Sequence, residues 1–479
     1  MWYIVYFLVL LNTILALVTV FREPRDIAAT WAWMLVLIFL PVIGFLLYSF
    51  AGRKLPKKRL FRYQAQDFNE IRKLIGQRLQ QLAIQPNEQP IKNSRDNSLI
   101  TLFNTLNQTY LAPNNHVRIF TNGPQLFEQL IKDLKAAKET INIEFYTFYS
   151  DKLGHQILDI LVEKARQGVK VHVVYDSLGS FGTSELFFRP LRAAGGYARP
   201  FLHTHSILFD FRLNFRDHRK IVVIDGKLGY IGGYNIGDQY VNQSRKFGYW
   251  RDTHLRITGP AVYQLQGQFI LDWNATDIKN PIKVTLAEYF PLVSADGNSN
   301  LQIVTSGPDS DEQQIKMGYI RLIQLAQRTC WIQTPYLIPD DSTYDALRIA
   351  ASSGIDVRIM VPCMPDHPFV YRATQYYAHQ LAFAGVKVYY YRKGFIHAKT
   401  VVIDNKMASV GSANFDFRSF KLNFEINSFI YDKALAHKLG QIFEEDLKDS
   451  TLETPADFAK QSWWLNFKQH FSRLLAPIL

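Results

Sequence analysis

The feature that most narrows the folds open to this chain is a pattern written twice. His218-Arg-Lys220-Ile-Val-Val-Ile-Asp225 and His397-Ala-Lys399-Thr-Val-Val-Ile-Asp404 both read H-x-K-x4-D. Each Asp is followed, seven residues on, by the start of G-x-x-N, at Gly232–Asn235 and Gly411–Asn414. A single H-x-K-x4-D match in a chain this long is expected by chance at roughly a few per cent. Two, at identical downstream spacing, mark an internal duplication. Upstream, each copy carries strand, helix, glycine and strand. The first has Ile141–Tyr146, a helix over 155–167, Gly168 and Val169–Tyr175; the second has Cys330–Tyr336, a helix over 343–353, Gly354 and Ile355–Val361. These are βαβ units, with glycine supplying the left-handed turn that ends each helix. The expectation is an α/β body of two similar halves, 113–290 and 291–479, related by a pseudo-twofold axis.

Residue types in the repeat point to phosphoryl chemistry. Strand alternation predicts that His218 and Lys220 share a face, as do His397 and Lys399. An imidazole attacks phosphorus while an ammonium neutralises the non-bridging oxygens. Asp225 and Asp404, although part of the motif, fall on the opposite parity and are expected to be structural. Asn235 and Asn414 follow glycine turns and are candidate donors to the same phosphate. One pocket shared by the halves would hold both His, both Lys and both Asn, allowing a phosphohistidine intermediate with the second His as general acid and base. Each imidazole then needs an acceptor for its other N–H. The candidates are Asp252 and Glu425, which follow the motif histidines of their own halves by 34 and 28 residues. Tyr146 and Tyr336 end equivalent strands and are candidates for the pocket wall.

The N-terminus adds a membrane. Met1–Phe21 and Ile27–Gly52 contain no charged side chain, and each exceeds the ~20 helical residues that cross a bilayer core. Between them lies only Arg22-Glu-Pro-Arg-Asp26. The expectation is a transmembrane hairpin over 1–52, with spans at about 2–21 and 27–50; a cleaved signal peptide is disfavoured by the missing basic leader. Residues 53–62 carry six basic side chains and no acid, which places the soluble body in the cytoplasm by the positive-inside rule and suits anionic membrane lipids. Residues 53–112 read as a basic juxtamembrane segment and linker, including Gln85-Pro-Asn-Glu-Gln-Pro90. The run Ser462–Leu475 reads either as an interfacial helix or as a core-docking one. Two cysteines exclude a disulfide scaffold, and 54 Lys and Arg against 42 Asp and Glu give a net charge of +12, which predicts an anionic partner.

These residues resemble the phospholipase D superfamily and, within it, the bacterial cardiolipin synthases. Besides the two HKD motifs, the resemblance rests on Arg22-Glu-Pro24, Leu40–Gly44, Trp250–His254, Gln266, Phe269, Asp272-Trp273, Thr334–Tyr336, Gly394–Lys399, Gly411–Phe420 and Asn423–Glu425. It implies a membrane enzyme, multi-pass with a cytoplasmic catalytic body, that condenses two phosphatidylglycerol molecules into cardiolipin and glycerol. Phosphatidylglycerol is donor and acceptor, and neither metal, nucleotide cofactor nor nucleic-acid partner is implied. By analogy His218 is the nucleophile and His397 the general acid and base, with the reverse open. Two other readings stay open: a phospholipase D-type hydrolase or transphosphatidylase using another acceptor alcohol, and an inactive lipid-binding scaffold. Acyl preference and oligomeric state are not legible.

Overall fold

The computed structural model describes residues 27–40, 57–84, 94–201 and 214–475, with scattered positions between 3 and 21 and between 43 and 48. The chain divides into two compact units. One comprises residues 1–57 with 204–215, and the other holds nearly all the rest.

In the first unit, a helix covers Ile27–Phe39, and Val20, Leu37 and Tyr48 form a small buried cluster. Among the described residues no helix is long and apolar enough to cross a membrane. Much of both expected spans, the linker Gln85–Pro90 and the side chains of the basic run 53–62 lie outside the described residues.

The second unit contains the repeat. Its first half runs β1 (Ala112–Asn122), β2 (Thr140–Phe145), β3 (Lys170–Asp176), β4 (Tyr197–Phe201), β5 (Arg216–Asp217), β6 (Lys220–Ile224), β7 (Leu228–Gly232) and β8 (Tyr249–Thr258). Its second half runs β9 (Ser299–Ser306), β10 (Thr329–Gln333), β11 (Leu337–Ile338), β12 (Asp356–Pro362), β13 (Lys387–Tyr391), β14 (Gly394–Ile396), β15 (Thr400–Ile403), β16 (Met407–Gly411), β17 (Phe415–Asp416), β18 (Asn423–Ile430) and β19 (Ser450–Glu453). The first sheet is ordered β4-β3-β2-β6-β7-β8-β1. The second is ordered β13-β12-β10-β15-β16-β18-β9, with β19 added beside β13. The parallel strands lie on one side of each order and the antiparallel ones on the other, and the pattern is the same in both halves.

Local signals explain these elements. The strands β2, β6, β10 and β15 are almost wholly buried, as near-continuous Val/Ile runs require when helices cover both faces. The helix Lys152–Arg166 is N-capped by Asp151, whose carboxylate accepts the Gly154 N–H at 3.0 Å, and it buries Leu153, Ile157, Leu158 and Leu161. Its counterpart Asp341–Ser352 is capped by Asp340 in the same way. Gly168 and Gly354 end these helices at φ +89° and +86°, a conformation that costs glycine nothing. Cys330 and Cys363 are free thiols.

One expectation is revised. The segment read as a linker is mostly helix, at Lys57–Gln81 and Ser94–Leu106. Ile71, Ile75 and Leu79, spaced by four, are buried, and Leu99, Ile100 and Phe103 join the core with Tyr319 and Leu322. The polar composition of this stretch hides a narrow apolar stripe. The two halves of the repeat are joined. They fall in one compact unit because short strands cross between them.

Candidate active site

Those crossings build the site. The two-residue β5 pairs in parallel with the head of β18, Asn423 opposite Arg216 and Phe424 opposite Asp217. The next N–H, that of His218, donates to the Phe424 carbonyl at 2.9 Å. In the other half β14 pairs in parallel with β8, Phe395 opposite Trp250 and Ile396 opposite Arg251. There the His397 N–H donates to the Arg251 carbonyl at 2.7 Å. Each histidine is thus hung on a strand of the opposite half, and the residue after each acceptor carbonyl is a carboxylate. Glu425 receives His218 Nδ1 at 2.9 and 3.0 Å, and Asp252 receives His397 Nδ1 at 2.6 Å.

The sequence names both carboxylates but assigns each to the histidine of its own half. The structure exchanges them: the pairs are separated by 207 and 145 residues. The reason is topological. Within a half, the histidine lies where β5 or β14 leaves the neighbouring half and enters its own sheet, so the backbone beside it belongs to the neighbour.

The same junction alters the expected strand geometry. His218 and His397 lie outside regular strand, and Lys220 and Lys399 stand at or beside the start of the strand that follows. Each ammonium donates to the carbonyl of its own motif histidine, Lys220 Nζ to His218 at 2.6 Å and Lys399 Nζ to His397. All six groups are almost inaccessible to solvent. A second buried link joins the halves below His397: Arg251 pairs with Asp446 through contacts of 3.0 and 2.7 Å, and Gln333 donates to the same carboxylate at 2.8 Å.

Asp225 and Asp404 occupy tight turns at φ +53° and +52°. Asp225 accepts the backbone N–H groups of Lys138, Glu139 and Thr140, and Asp404 accepts those of Gln327, Arg328 and Thr329. Both tie the far end of the motif strand to the start of the central parallel strand. The two asparagines are not equivalent. Asn235 accepts the Thr147 N–H at 3.1 Å and lies 3.4 Å from the Tyr240 hydroxyl. The buried carboxamide oxygen of Asn414 has no hydrogen-bond partner among the described residues.

The tyrosines also diverge. Tyr146 stands edge-on to His218, with ring centroids 5.0 Å apart. The Tyr336 hydroxyl donates to Asp366, and the rings beside His397 are instead Trp250, nearer at 5.2 Å, and Phe395, at 6.2 Å. Trp250 is a site residue that the sequence reading left in its motif without a role. Its signal was parity: two residues before Asp252 on β8, it shares that carboxylate's face. Ser412 and Ser419 were likewise missed. Both hydroxyls donate to Glu425, Ser419 at 2.8 Å, and Asn423 adds a contact of 3.3 Å. Asp252 is served differently: the Thr253 N–H donates to it at 2.7 Å, and Gly233 faces it, leaving room for the carboxylate.

Burial dominates the electrostatics. Burial, then Lys220 and Lys399, hold His218 well below the usual imidazole value. Burial and Lys399 press His397 down to about 4, while Asp252 pulls upward. Burial also brings Lys220 to about 7 and Lys399 to about 8. Glu425 is pushed by burial up to about 7 against the pull of Lys220. Asp252, although burial opposes it, is held below the usual carboxylate range by Lys399 and His397. Both imidazoles are therefore neutral at pH 7 in the free site, each with Nδ1 on a carboxylate and Nε2 left to face a substrate. A cavity of about 310 Å³ among Ile71, Ile75, Leu79 and Leu271 contains none of these groups.

Two His-Lys pairs, each imidazole steadied by the other half's carboxylate, are brought to one place by these crossings. Residues 130–273 and 319–447 match the family model described as cardiolipin synthase, PLD-like domain, and residues 12–53 match the phospholipase D-nuclease N-terminal model. The cardiolipin synthase of Listeria monocytogenes is 48% identical over 100% of this chain and 99% of its own. The major cardiolipin synthase ClsA of Bacillus subtilis is 46% identical over 98% of each chain. The crystal structure of phosphatidylserine synthase from Haemophilus influenzae shares the fold, with a TM-score of 0.60 at 17% identity, covering 80% of this chain and 100% of that one. The chain belongs to the cardiolipin synthase family of the phospholipase D superfamily.

Proposed function

We propose that the protein condenses two phosphatidylglycerol molecules into cardiolipin and glycerol through a phosphatidyl-histidine intermediate. The observation that carries this reading is the exchange of carboxylates, Glu425 onto His218 and Asp252 onto His397. It fixes the tautomer of both rings and directs both Nε2 atoms away from protein partners.

His218 Nε2 attacks the phosphorus of the first lipid, the bond to glycerol breaks, and His397 supplies the proton that glycerol carries away. The glycerol hydroxyl of the second lipid then gives its proton to His397 and attacks phosphorus, and the bond to His218 breaks. Number and kind of phosphodiester linkages are conserved, so no external energy source enters. Entry of the anionic phosphodiester beside His397 and the two lysines offsets the burial that keeps the His397 imidazole neutral in the empty site. The ionised Asp252 favours the imidazolium on His397, the group asked to act as acid, while the neutral His218 suits nucleophilic attack. Lys220 and Lys399 neutralise the non-bridging oxygens, with Asn414 a further donor.

The uncharged runs Met1–Phe21 and Ile27–Gly52 and the family match over 12–53 support a membrane hairpin, and the six basic residues of 53–62 favour the cytoplasmic side for the catalytic unit. There the diacyl substrate is concentrated in two dimensions. Purified protein given phosphatidylglycerol alone is expected to release glycerol and form cardiolipin in equal amounts; dominant phosphatidic acid would replace this reading with hydrolysis.

A further inference from the structure

The helix Trp463–Leu474 is built inside out. Ser462 caps it, its hydroxyl oxygen accepting the Leu465 N–H at 3.3 Å. Trp463 and Leu474 are 75% and 73% exposed, whereas Gln469 and Ser472 are 1% and 2% exposed. At 100° per residue, Trp463, Trp464, Phe467, Phe471 and Leu474 fall in one stripe about 100° wide. Their aromatic rings stack along it, with centroids 5.4 to 6.3 Å apart. The helix packs on the helix Pro368–Phe383, where His470, at the margin of the stripe, and Arg473 both lie against Tyr376, at 5.0 and 5.1 Å. That neighbouring helix adds exposed Phe369 and Phe383. A soluble surface does the reverse, so an outward aromatic stripe over buried polar residues needs a cover.

We propose that this face seats in the interface of an anionic lipid bilayer, forming a membrane contact separate from the N-terminal hairpin. Chemistry selects this occupant. Trp and Phe on a short helix suit the headgroup and acyl boundary. The helix carries Lys468, His470 and Arg473 and no acidic residue, and the Lys468 ammonium sits 5.3 Å from the Trp464 ring centroid, at the edge of the stripe. A second copy of the chain docked through this helix would bring a second set of the same cations and no acidic residue to the contact, whereas phosphatidylglycerol headgroups neutralise them. The proposal rests on the lipid substrate assigned above, but its primary test does not depend on turnover.

The full chain, with Cys363→Ser and Phe467→Cys carrying an environment-sensitive fluorophore, is reconstituted in vesicles of phosphatidylcholine with phosphatidylglycerol. The expected result is blue-shifted emission, quenched more by bromines near the top of the acyl chains than by bromines near their ends, and weaker in phosphatidylcholine alone. Absence of lipid quenching overturns the proposal, as does energy transfer between labelled copies, which would reveal a protein partner. Equal quenching without anionic lipid removes the charge requirement. A quadruple Ser variant at 463, 464, 467 and 471 with an unchanged thermal transition is expected to raise KM for phosphatidylglycerol in vesicles several-fold, with kcat in detergent micelles unaltered. Equal losses in vesicles and micelles would assign the face a folding role instead.

Discussion

Replacing Glu425 by Gln keeps the size of the group that holds His218 and removes its charge. Its amide oxygen still accepts from Nδ1, but the cation that forms when His218 bonds to phosphorus loses its counter-charge. Hydrogen bonds to charged groups contribute roughly 1.5–3 kcal/mol, and each 1.36 kcal/mol is tenfold in rate. Cardiolipin formation is therefore expected to fall about 10- to 150-fold. Asp252→Asn weakens His397 instead, the residue proposed to protonate departing glycerol. A phosphatidyl ester of p-nitrophenol separates the two defects, because its leaving group departs without a proton. Nitrophenol release in a single turnover should recover in Asp252→Asn and stay slow in Glu425→Gln. Recovery in Glu425→Gln with none in Asp252→Asn would refute the exchanged pairing or the roles given to the two histidines.

Three other outcomes follow from the same geometry. Burial leaves Lys220 near 7 and Lys399 near 8, and the ammonium is the form that holds phosphate, so kcat/KM should fall as pH rises past about 7 and more steeply past about 8. A bound anion opposes deprotonation, so the alkaline fall in kcat should lie higher; Lys399→Arg should remove the steeper part of the kcat/KM fall, and an unchanged limb would exclude Lys399 as its source. In Gly233→Ala a methyl group would lie 2.0 Å from Asp252 Oδ1, so activity should drop at least tenfold through displacement of the carboxylate; wild-type turnover would show that Asp252 does not set the rate. Asp404→Ala removes the acceptor for three backbone N–H groups and should cost about 2–4 kcal/mol in unfolding free energy, with KM unchanged in the folded fraction. A raised KM without loss of stability would place Asp404 in substrate binding.

The site is also asymmetric in ways that the duplicated motif conceals. Gly233 and Ser412 occupy matching places after the first motif glycine, yet one leaves space beside Asp252 and the other donates to Glu425. Tyr146 flanks His218, whereas the nearer aromatic ring beside His397 comes from Trp250 of the opposite half. Repetition supplies two imidazoles and two ammoniums; divergence of their neighbours gives each histidine surroundings of its own.

The sequence by itself determined the βαβ units, the glycines that close their helices, both His-Lys pairs, the place of Asp225 and Asp404 at the far ends of their strands, and the identity of the two orienting carboxylates. All but the carboxylates, which stand 34 and 28 residues from the motif histidines, follow from short-range spacing, where periodicity and turn chemistry act over a few residues. Tertiary structure alone decided which carboxylate meets which histidine, that Trp250 and not Tyr336 flanks His397, that residues 57–81 and 94–106 pack as helices, and which side of the C-terminal helix faces inward. Each of those outcomes depends on which remote backbone lies alongside, and local spacing carries no record of a strand that crosses into its neighbour.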